Sequence, residues 1–117
     1  MIDHLWIGVA DVDAARRFYE RAAPFSRFSL SSVLPERVHF GGGNGSFGLV
    51  GREPTQNLHL AFDTDDNATV DAFHAALTEA GYADNGSPGE RAYHTGYYGA
   101  FVLDPDGNNV EVVNHSG

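Results

Sequence analysis

One arrangement of residues occurs twice in the sequence, at a spacing of 55 positions. Within residues 4–18, four identical pairs share this spacing: His4 and His59, Leu5 and Leu60, Asp11 and Asp66, Phe18 and Phe73. In each copy an apolar strand segment precedes an acidic residue suited to cap a helix, and an apolar helix face follows. The sequence therefore predicts two copies of one unit, which excludes most folds available to a chain of this length.

Alternation of apolar and polar residues predicts strands over residues 2–9, 25–33, 37–40, 46–51, 58–64, 98–103 and 109–114. Two amphipathic segments predict helices, one from a cap at Asp11 to about Ala22, the other from a cap at Asp66 or Asn67 to about Ala80. Residues 82–95 are rich in Gly, Asn and Pro and are interpreted as a loop. This order predicts one α+β domain over residues 1–117, with its units at about 1–54 and 55–117.

The chain contains seven basic residues, all of them Arg and scattered, and its formal net charge is −9. This charge excludes a nucleic-acid partner, which would require clustered cations. The absence of Cys excludes disulfides and thiolate metal sites, and no apolar run reaches the ~20 residues of a membrane span. No basic and apolar leader precedes the first predicted strand. The sequence therefore predicts a cytoplasmic protein that contacts neither nucleic acid nor membrane.

Alternation along the strands also places three potential metal ligands on one face of the sheet. His4, His59 and Glu111 lie opposite the aliphatic residues that the helices are expected to cover. Two imidazoles and one carboxylate can hold a divalent ion such as Fe, Mn, Ni, Co or Zn and leave coordination positions open for substrate. These residues are far apart in sequence, unlike the ligands of a local helical motif.

Three segments resemble the vicinal oxygen chelate superfamily, which contains glyoxalases, bleomycin resistance proteins and extradiol dioxygenases. The segments are residues 2–5, 59–62 and 101–111, the last with an Asp-Pro-Asp-Gly-Asn turn before the strand that bears Glu111. The resemblance implies paired βαβββ modules in which a mixed sheet curls around a cavity and the helices lie outside. It also implies that His4, His59 and Glu111 are metal ligands, and that the protein is a homodimer whose two chains can share the cavity.

One position departs from the glyoxalase pattern. Glyoxalases of this superfamily usually carry a fourth ligand, a Glu on the last strand of the first module. Gly48 occupies that position here, and no nearby carboxylate replaces it. The set is therefore limited to three ligands, which resembles extradiol dioxygenases more than glyoxalases, although most of those dioxygenases contain two such domains.

Four further residues are candidates for the remainder of the site. His94 and Tyr97 precede the final hairpin and are candidate groups for proton transfer near neutral pH. Trp6 and Tyr98 are candidate groups for stacking against a small-molecule ligand. Each has a structural alternative, which is loop packing for His94 and the two tyrosines and an interface for Trp6.

Together these features predict a small metal-dependent lyase, isomerase or dioxygenase-like enzyme that acts on an oxygen-bearing small molecule. A second possibility is a metal-free protein that binds an antibiotic or another natural product, because the fourth ligand is missing. A third is a scaffold whose site is vestigial. The sequence identifies neither the metal nor the substrate.

Overall fold

The computed structural model describes residues 1–117 and contains the same βαβββ unit twice. Module 1 consists of β1 (His4–Val9), α1 (Val12–Ala22), β2 (Phe28–Leu34), β3 (Arg37–Gly42) and β4 (Ser46–Gly51). Module 2 consists of β5 (His59–Asp63), α2 (Asn67–Glu79), β6 (Asp84–Glu90), β7 (Tyr98–Leu103) and β8 (Asn109–Asn114). Neither helix is long and apolar enough to cross a membrane.

The predicted repeat is confirmed at the level of the elements. Both the first strands and the helices of the two modules begin at the spacing found in the sequence. Each helix begins with an Asp cap, because Asp11 Oδ1 accepts a hydrogen bond from the Ala14 amide at 3.1 Å and Asp66 Oδ1 accepts one from the Thr69 amide at 2.7 Å. Of the two predicted caps of the second helix, Asp66 is therefore the one used.

Each module forms its own four-stranded mixed sheet, with strand orders β1-β4-β3-β2 and β5-β8-β7-β6. The first and last strands of each module are parallel neighbours, and the other pairs are antiparallel. The register places Trp6 opposite Gly48 in module 1 and Ala61 opposite Glu111 in module 2. The two sheets are not joined into a closed barrel.

A shared core joins the two modules. Eighteen buried residues from both modules form one hydrophobic cluster. The α1 helix packs on its own sheet and also contacts α2, and the rings of Phe28 and Phe62 meet across the junction with centroids 4.8 Å apart. Tyr19 adds a polar link, since its hydroxyl donates to Asp104 Oδ2 at 2.9 Å. The faces that carry His4 and Glu111 are those that the helices leave uncovered.

Two details of the predicted elements are wrong. Residues 82–95 were expected to be a loop, but Asp84–Glu90 forms the edge strand β6, paired with β7 through two register shifts. An edge position tolerates Pro88 and the positive φ of Gly86, because the irregular strand needs to pair on one side only. In addition, β2 begins at Phe28, because the preceding Ala23–Phe25 segment forms a short 3₁₀ turn around Pro24.

Candidate metal and small-molecule site

Glu111 is the central residue of the candidate site. It lies on β8 between Ala61 of β5 and Phe101 of β7, on the face away from the helix, while its neighbours Val110 and Val112 enter the core. The predicted alternation is therefore correct. The carboxylate is nevertheless only 1 % exposed, because side chains of module 2 fold over it. A carboxylate buried to this extent requires polar or charged partners.

His59 is the first of these partners. Its Nε2 lies 3.0 Å from Glu111 Oε1, and its Nδ1 lies 3.2 Å from the carbonyl oxygen of Asn109. The carbonyl oxygen and the carboxylate both accept, so a neutral His59 can donate to only one of them. With its hydrogen on Nε2 the imidazole donates to Glu111, and with its hydrogen on Nδ1 it donates to Asn109. In the second tautomer the Nε2 lone pair faces the carboxylate, an arrangement that a metal cation between the two groups would stabilise.

Tyr97 is the second partner. Its hydroxyl donates a hydrogen bond to Glu111 Oε2. Burial raises the pKa of Tyr97 well above its ordinary value, and the hydrogen bond to the carboxylate raises it further, so the phenol keeps its proton at neutral pH. Gly99 provides room for this contact, since a Cβ at that position would stand 2.6 Å from Glu111 Oε2.

His94 is part of an imidazole pair next to Tyr97. Its Nδ1 lies 2.8 Å from the Thr95 carbonyl oxygen, and its Nε2 lies 2.9 Å from Nδ1 of His115. The rings of His94 and His115 both contact the Tyr97 ring, with centroids 5.3 and 5.4 Å away. Because the Thr95 carbonyl oxygen only accepts, Nδ1 of His94 carries the hydrogen, and the neutral pair leaves Nε2 of His115 as its open basic nitrogen. No role was predicted for His115, because it lies beyond the last predicted strand near the end of the chain, and only the fold brings it to His94.

His4 lies apart from this group. Its side chain is 63 % exposed, and its Nδ1 is 2.8 Å from Asp3 Oδ1. No group of three or more His, Cys, Asp or Glu side chains that could hold a metal ion occurs within the single chain. The structure thus brings together His59 and Glu111 but does not bring His4 to them.

The corresponding position in module 1 is filled by an aromatic ring. The Trp6 indole lies directly against Gly48, so that a Cβ on Gly48 would collide with the ring. The edge of His39 meets the indole with centroids 4.9 Å apart, and the Arg37 guanidinium carbon lies 5.5 Å over it. The register, in which Trp6 and His39 both lie opposite Gly48, places His39 on the same face as Trp6.

The predicted grouping of Tyr98 with Trp6 is not found. Strand alternation turns Tyr98 towards α2, where its hydroxyl donates to Asp71 Oδ1 at 2.6 Å and its ring packs against the core. Its neighbour Gly99 occupies the uncovered face instead. The placement of Tyr98 therefore gives no support to a role in stacking against a ligand next to Trp6.

Two clefts lie near these groups, but Glu111 lines neither of them. A partly apolar cleft of about 530 Å³ lies at the module junction and is lined by Phe28, Phe47 and Phe62, among others. A second cleft of about 460 Å³ adjoins His94 and Tyr97. The latter gives the imidazole pair access from solvent.

Comparison with known families agrees with this architecture. The model of the glyoxalase/bleomycin resistance protein/dioxygenase superfamily matches residues 1–112. The chain belongs to this superfamily. No protein of curated function matches the sequence. Membership confirms the resemblance seen in the three sequence segments, although it does not select one activity among those that the superfamily contains.

Solved structures of this superfamily have the same fold. A glyoxalase/bleomycin resistance protein from Albidiferax ferrireducens is 26 % identical, with a TM-score of 0.83 over 97 % of this chain and 98 % of that one. A protein described as a glyoxalase, from Bacillus halodurans, is 20 % identical, with a TM-score of 0.81 over 97 % and 95 % of the two chains. A lactoylglutathione lyase from Agrobacterium tumefaciens is 23 % identical, with a TM-score of 0.75 over 99 % and 94 %. At these identities the last two show the fold alone.

Proposed function

We propose that this superfamily member is a small metal-dependent enzyme with a divalent ion held by His59, Glu111 and the His4 of a second copy of the chain. The observation that carries the proposal is the pairing of His59 Nε2 with the buried Glu111 carboxylate 3.0 Å away, a pair of groups that can hold a divalent cation in place of a shared proton. A divalent cation is the occupant that the superfamily commonly uses.

The donor set fits such an ion. Two donors that each lie about 2.1 Å from one ion at a right angle are about 3 Å apart, which matches the His59–Glu111 contact. Each imidazole also has an oxygen behind it, since Nδ1 of His59 lies 3.2 Å from the Asn109 carbonyl oxygen and Nδ1 of His4 lies 2.8 Å from Asp3 Oδ1. Hydrogen bonds from Nδ1 to these oxygens would present Nε2 of both residues to the ion, as is typical of metal-ligating histidines. Imidazole and carboxylate donors suit Fe, Mn, Ni, Co and Zn.

A second copy of the chain is the natural source of His4. His4 and His59 occupy equivalent positions in the two modules, but they lie on separate sheets and do not converge within one chain. A two-fold dimer that faces module 1 of one copy towards module 2 of the other would form two equivalent sites.

A divalent ion in this site would polarise an oxygen of a bound small molecule. The protein groups around it have separable roles. Tyr97 keeps its proton and holds the Glu111 carboxylate in place through the hydrogen bond from its hydroxyl. His94, with His115, can accept a proton and release it to solvent, because the pair has an open basic nitrogen and adjoins an open cleft.

Metal content tests the proposal directly. Purified protein is reconstituted separately with Fe, Mn, Ni, Co and Zn, and bound metal is measured for the wild type, His59→Ala and Glu111→Gln. We expect stoichiometric metal in the wild type and loss in both variants. The control is His74→Ala, which removes an imidazole from α2, where it is hydrogen-bonded to Asp84 and lies away from the site. Wild-type protein without stoichiometric metal under all five conditions would contradict the proposal.

Mixing two defective variants tests the origin of His4. Alone, His4→Ala and His59→Ala each lack one ligand at every site. When they are refolded together in equal amounts, random pairing should restore about a quarter of the wild-type metal, because half of the dimers are mixed and each has one intact site. If all three ligands came from one chain, mixing would restore none. Retention of full metal by His4→Ala alone would exclude His4 as a ligand.

The second candidate function is metal-free binding of a small molecule, and one observation favours it. The position of the missing fourth ligand is filled by the Trp6 ring, which provides a stacking surface instead of a donor atom. Aromatic antibiotics and other planar natural products would then quench the fluorescence of Trp6, the only Trp in the chain. Saturable quenching by protein that takes up no metal would favour this function over the enzyme.

A further inference from the structure

The uncovered face of module 1 differs in charge from the rest of the molecule. We define the Trp6 face as the outward side of β1, β3 and β4 together with the Arg52 side chain, which lies across Gly8 with its Nε 3.3 Å from the place of a Cβ. No Asp or Glu occupies an outward position on these three strands. The face is therefore basic in a chain whose net charge is −9.

Its two guanidinium groups have no acidic partner. The Arg side chains that form ion pairs are Arg16, with Glu20, and Arg27, with Asp63 and Asp65. Arg37 and Arg52 form none, and Glu36, although adjacent to Arg37, points to the helix side near Gly51 and Val12. In an acidic protein, two unpaired Arg side chains on one face favour an anionic ligand.

The aromatic groups determine the shape of that ligand. Trp6 is 37 % exposed, so part of its ring is accessible to solvent. Arg37 lies over this ring, and stacking of a guanidinium on an aromatic face leaves its edge N–H groups available to a carboxylate. His39 fixes the indole from the side. A planar ring on Trp6 and a carboxylate on Arg37 would be bound side by side.

We propose that the Trp6 face binds a planar organic anion, such as an aromatic carboxylate, with Arg37 as the anion-binding residue and Trp6 as the stacking residue. The inference rests on the proposed function in one respect, because His4 lies on the same strand face two residues from Trp6 and the bound anion would thus adjoin the metal site. It deepens that function by naming the substrate class. Binding of the anion itself needs only groups of module 1.

The test uses the single Trp as a reporter. The indole N–H signal of Trp6 is followed by ¹H–¹⁵N NMR during titration with benzoate, with neutral benzamide and with non-planar cyclohexanecarboxylate. We expect a saturable shift with benzoate and an affinity about tenfold weaker for benzamide, the loss typical of one charged hydrogen-bonding pair. Arg37→Gln should weaken benzoate binding about tenfold, and Arg37→Lys should weaken it less, because a point charge keeps the attraction without the planar fork.

Arg17→Gln is the matched control, since it removes the same charge from an exposed position on α1. The proposal is wrong if this variant weakens benzoate binding as much as Arg37→Gln, or if benzamide binds as tightly as benzoate. It is also wrong if benzoate leaves the Trp6 signal unchanged while Arg37→Gln lowers the dimer fraction in sedimentation, because the face would then bind a second copy.

Titrations of metal-loaded and chelator-treated protein separate this inference from the proposed function. If benzoate binds through Arg37 but no metal is taken up, the inference stands and the metalloenzyme fails. If metal binds through His59 and Glu111 but benzoate has no effect on Trp6, the metal site stands and the inference fails.

Discussion

Modules 1 and 2 share a backbone plan, but they fill the equivalent uncovered face with side chains of opposite size. Module 2 combines the small residues Ala61 and Gly99 with the large Glu111. At the corresponding register positions module 1 has the large Trp6 and Arg37 around Gly48. The large side chain thus lies on β8 in module 2 and on β1 and β3 in module 1, and one face presents a carboxylate where the other presents an aromatic ring and a cation.

This difference explains why a Glu at position 48 alone would not restore the fourth ligand of the glyoxalases. A carboxylate at position 48 and an indole at position 6 would compete for the same space, since the ring lies directly against Gly48. A carboxylate at position 111 likewise requires Gly99 beside it. Each face is therefore a coupled set of residues.

The largest effect on stability is expected when the space beside Glu111 is filled. In Gly99→Ala a methyl group would stand 2.6 Å from Glu111 Oε2, and the carboxylate is too buried to move into solvent. We expect the free energy of unfolding to fall by about 3 kcal/mol, because overpacking adds to the loss of partners of a buried charge. Urea denaturation measures the change. The control is Gly43→Ala, which should change the free energy of unfolding little, because no atom lies within 4 Å of the new Cβ. An equal loss of stability in both variants would show that packing around Glu111 is not the cause.

A smaller effect is expected when the module 2 arrangement is copied into module 1. Gly48→Glu alone should lower the free energy of unfolding by about 2 kcal/mol, because Trp6 has to swing off the strand. Gly48→Glu combined with Trp6→Ala recreates the Ala61–Glu111 pair and should recover most of that loss. The double variant also supplies a fourth donor, so it should bind divalent metal more tightly than the wild type, which metal titration measures. If Gly48→Glu unfolds like the wild type, Trp6 does not hold this space.

The sequence predicted the strands and helices common to both modules better than the side-chain arrangement on their uncovered faces. Strand alternation and the duplicated Asp caps depend on local residues, and they correctly placed His4, His59 and Glu111 opposite the helices. The convergence of ligands depends on how the two sheets are arranged, which no local pattern reports. The imidazole pair of His94 and His115 was missed for the same reason, since 21 residues separate its members.

The two modules also differ in the hydrogen bond that each helix makes through its Tyr19 or His74 position. Tyr19 of module 1 donates to the buried Asp104 of module 2, whereas its repeat equivalent His74 bonds Asp84 within its own module. Tyr19→Phe should lower the free energy of unfolding by about 1.5 kcal/mol, because Asp104 Oδ2 loses its donor. Tyr93→Phe is the control, since Tyr93 is 72 % exposed. An equal response of both variants would argue against a specific link.

The pH dependence gives an independent readout of the same contact. Burial raises the pKa of Tyr19 well above its ordinary value of 10, and Asp104 raises it further. The folded protein therefore holds this proton where the unfolded chain releases it. The contribution to stability is complete below about pH 10 and is lost as the pH rises towards the folded pKa. Tyr19→Phe should accordingly show a flatter decline in stability above pH 10 than the wild type.

The smallest effect on stability is predicted for the Asp caps of the two helices, the feature that the modules share most closely. Asp11→Ala and Asp66→Ala each remove one helix cap, so each should lower the melting temperature by a few degrees and by similar amounts. The hydrogen bonds from Thr69 hold the pKa of Asp66 below its ordinary value, so this cap contributes fully above about pH 4 and is lost as the pH falls through the lower folded pKa. Asp13→Ala removes a charge from the first turn of α1 without removing the cap and should change the melting temperature less. Unequal losses for the two caps would show that the modules differ in helix stability as well as in the residues on their uncovered faces. Equal losses would confine the divergence to those faces, where the metal donors and the Trp6 face lie.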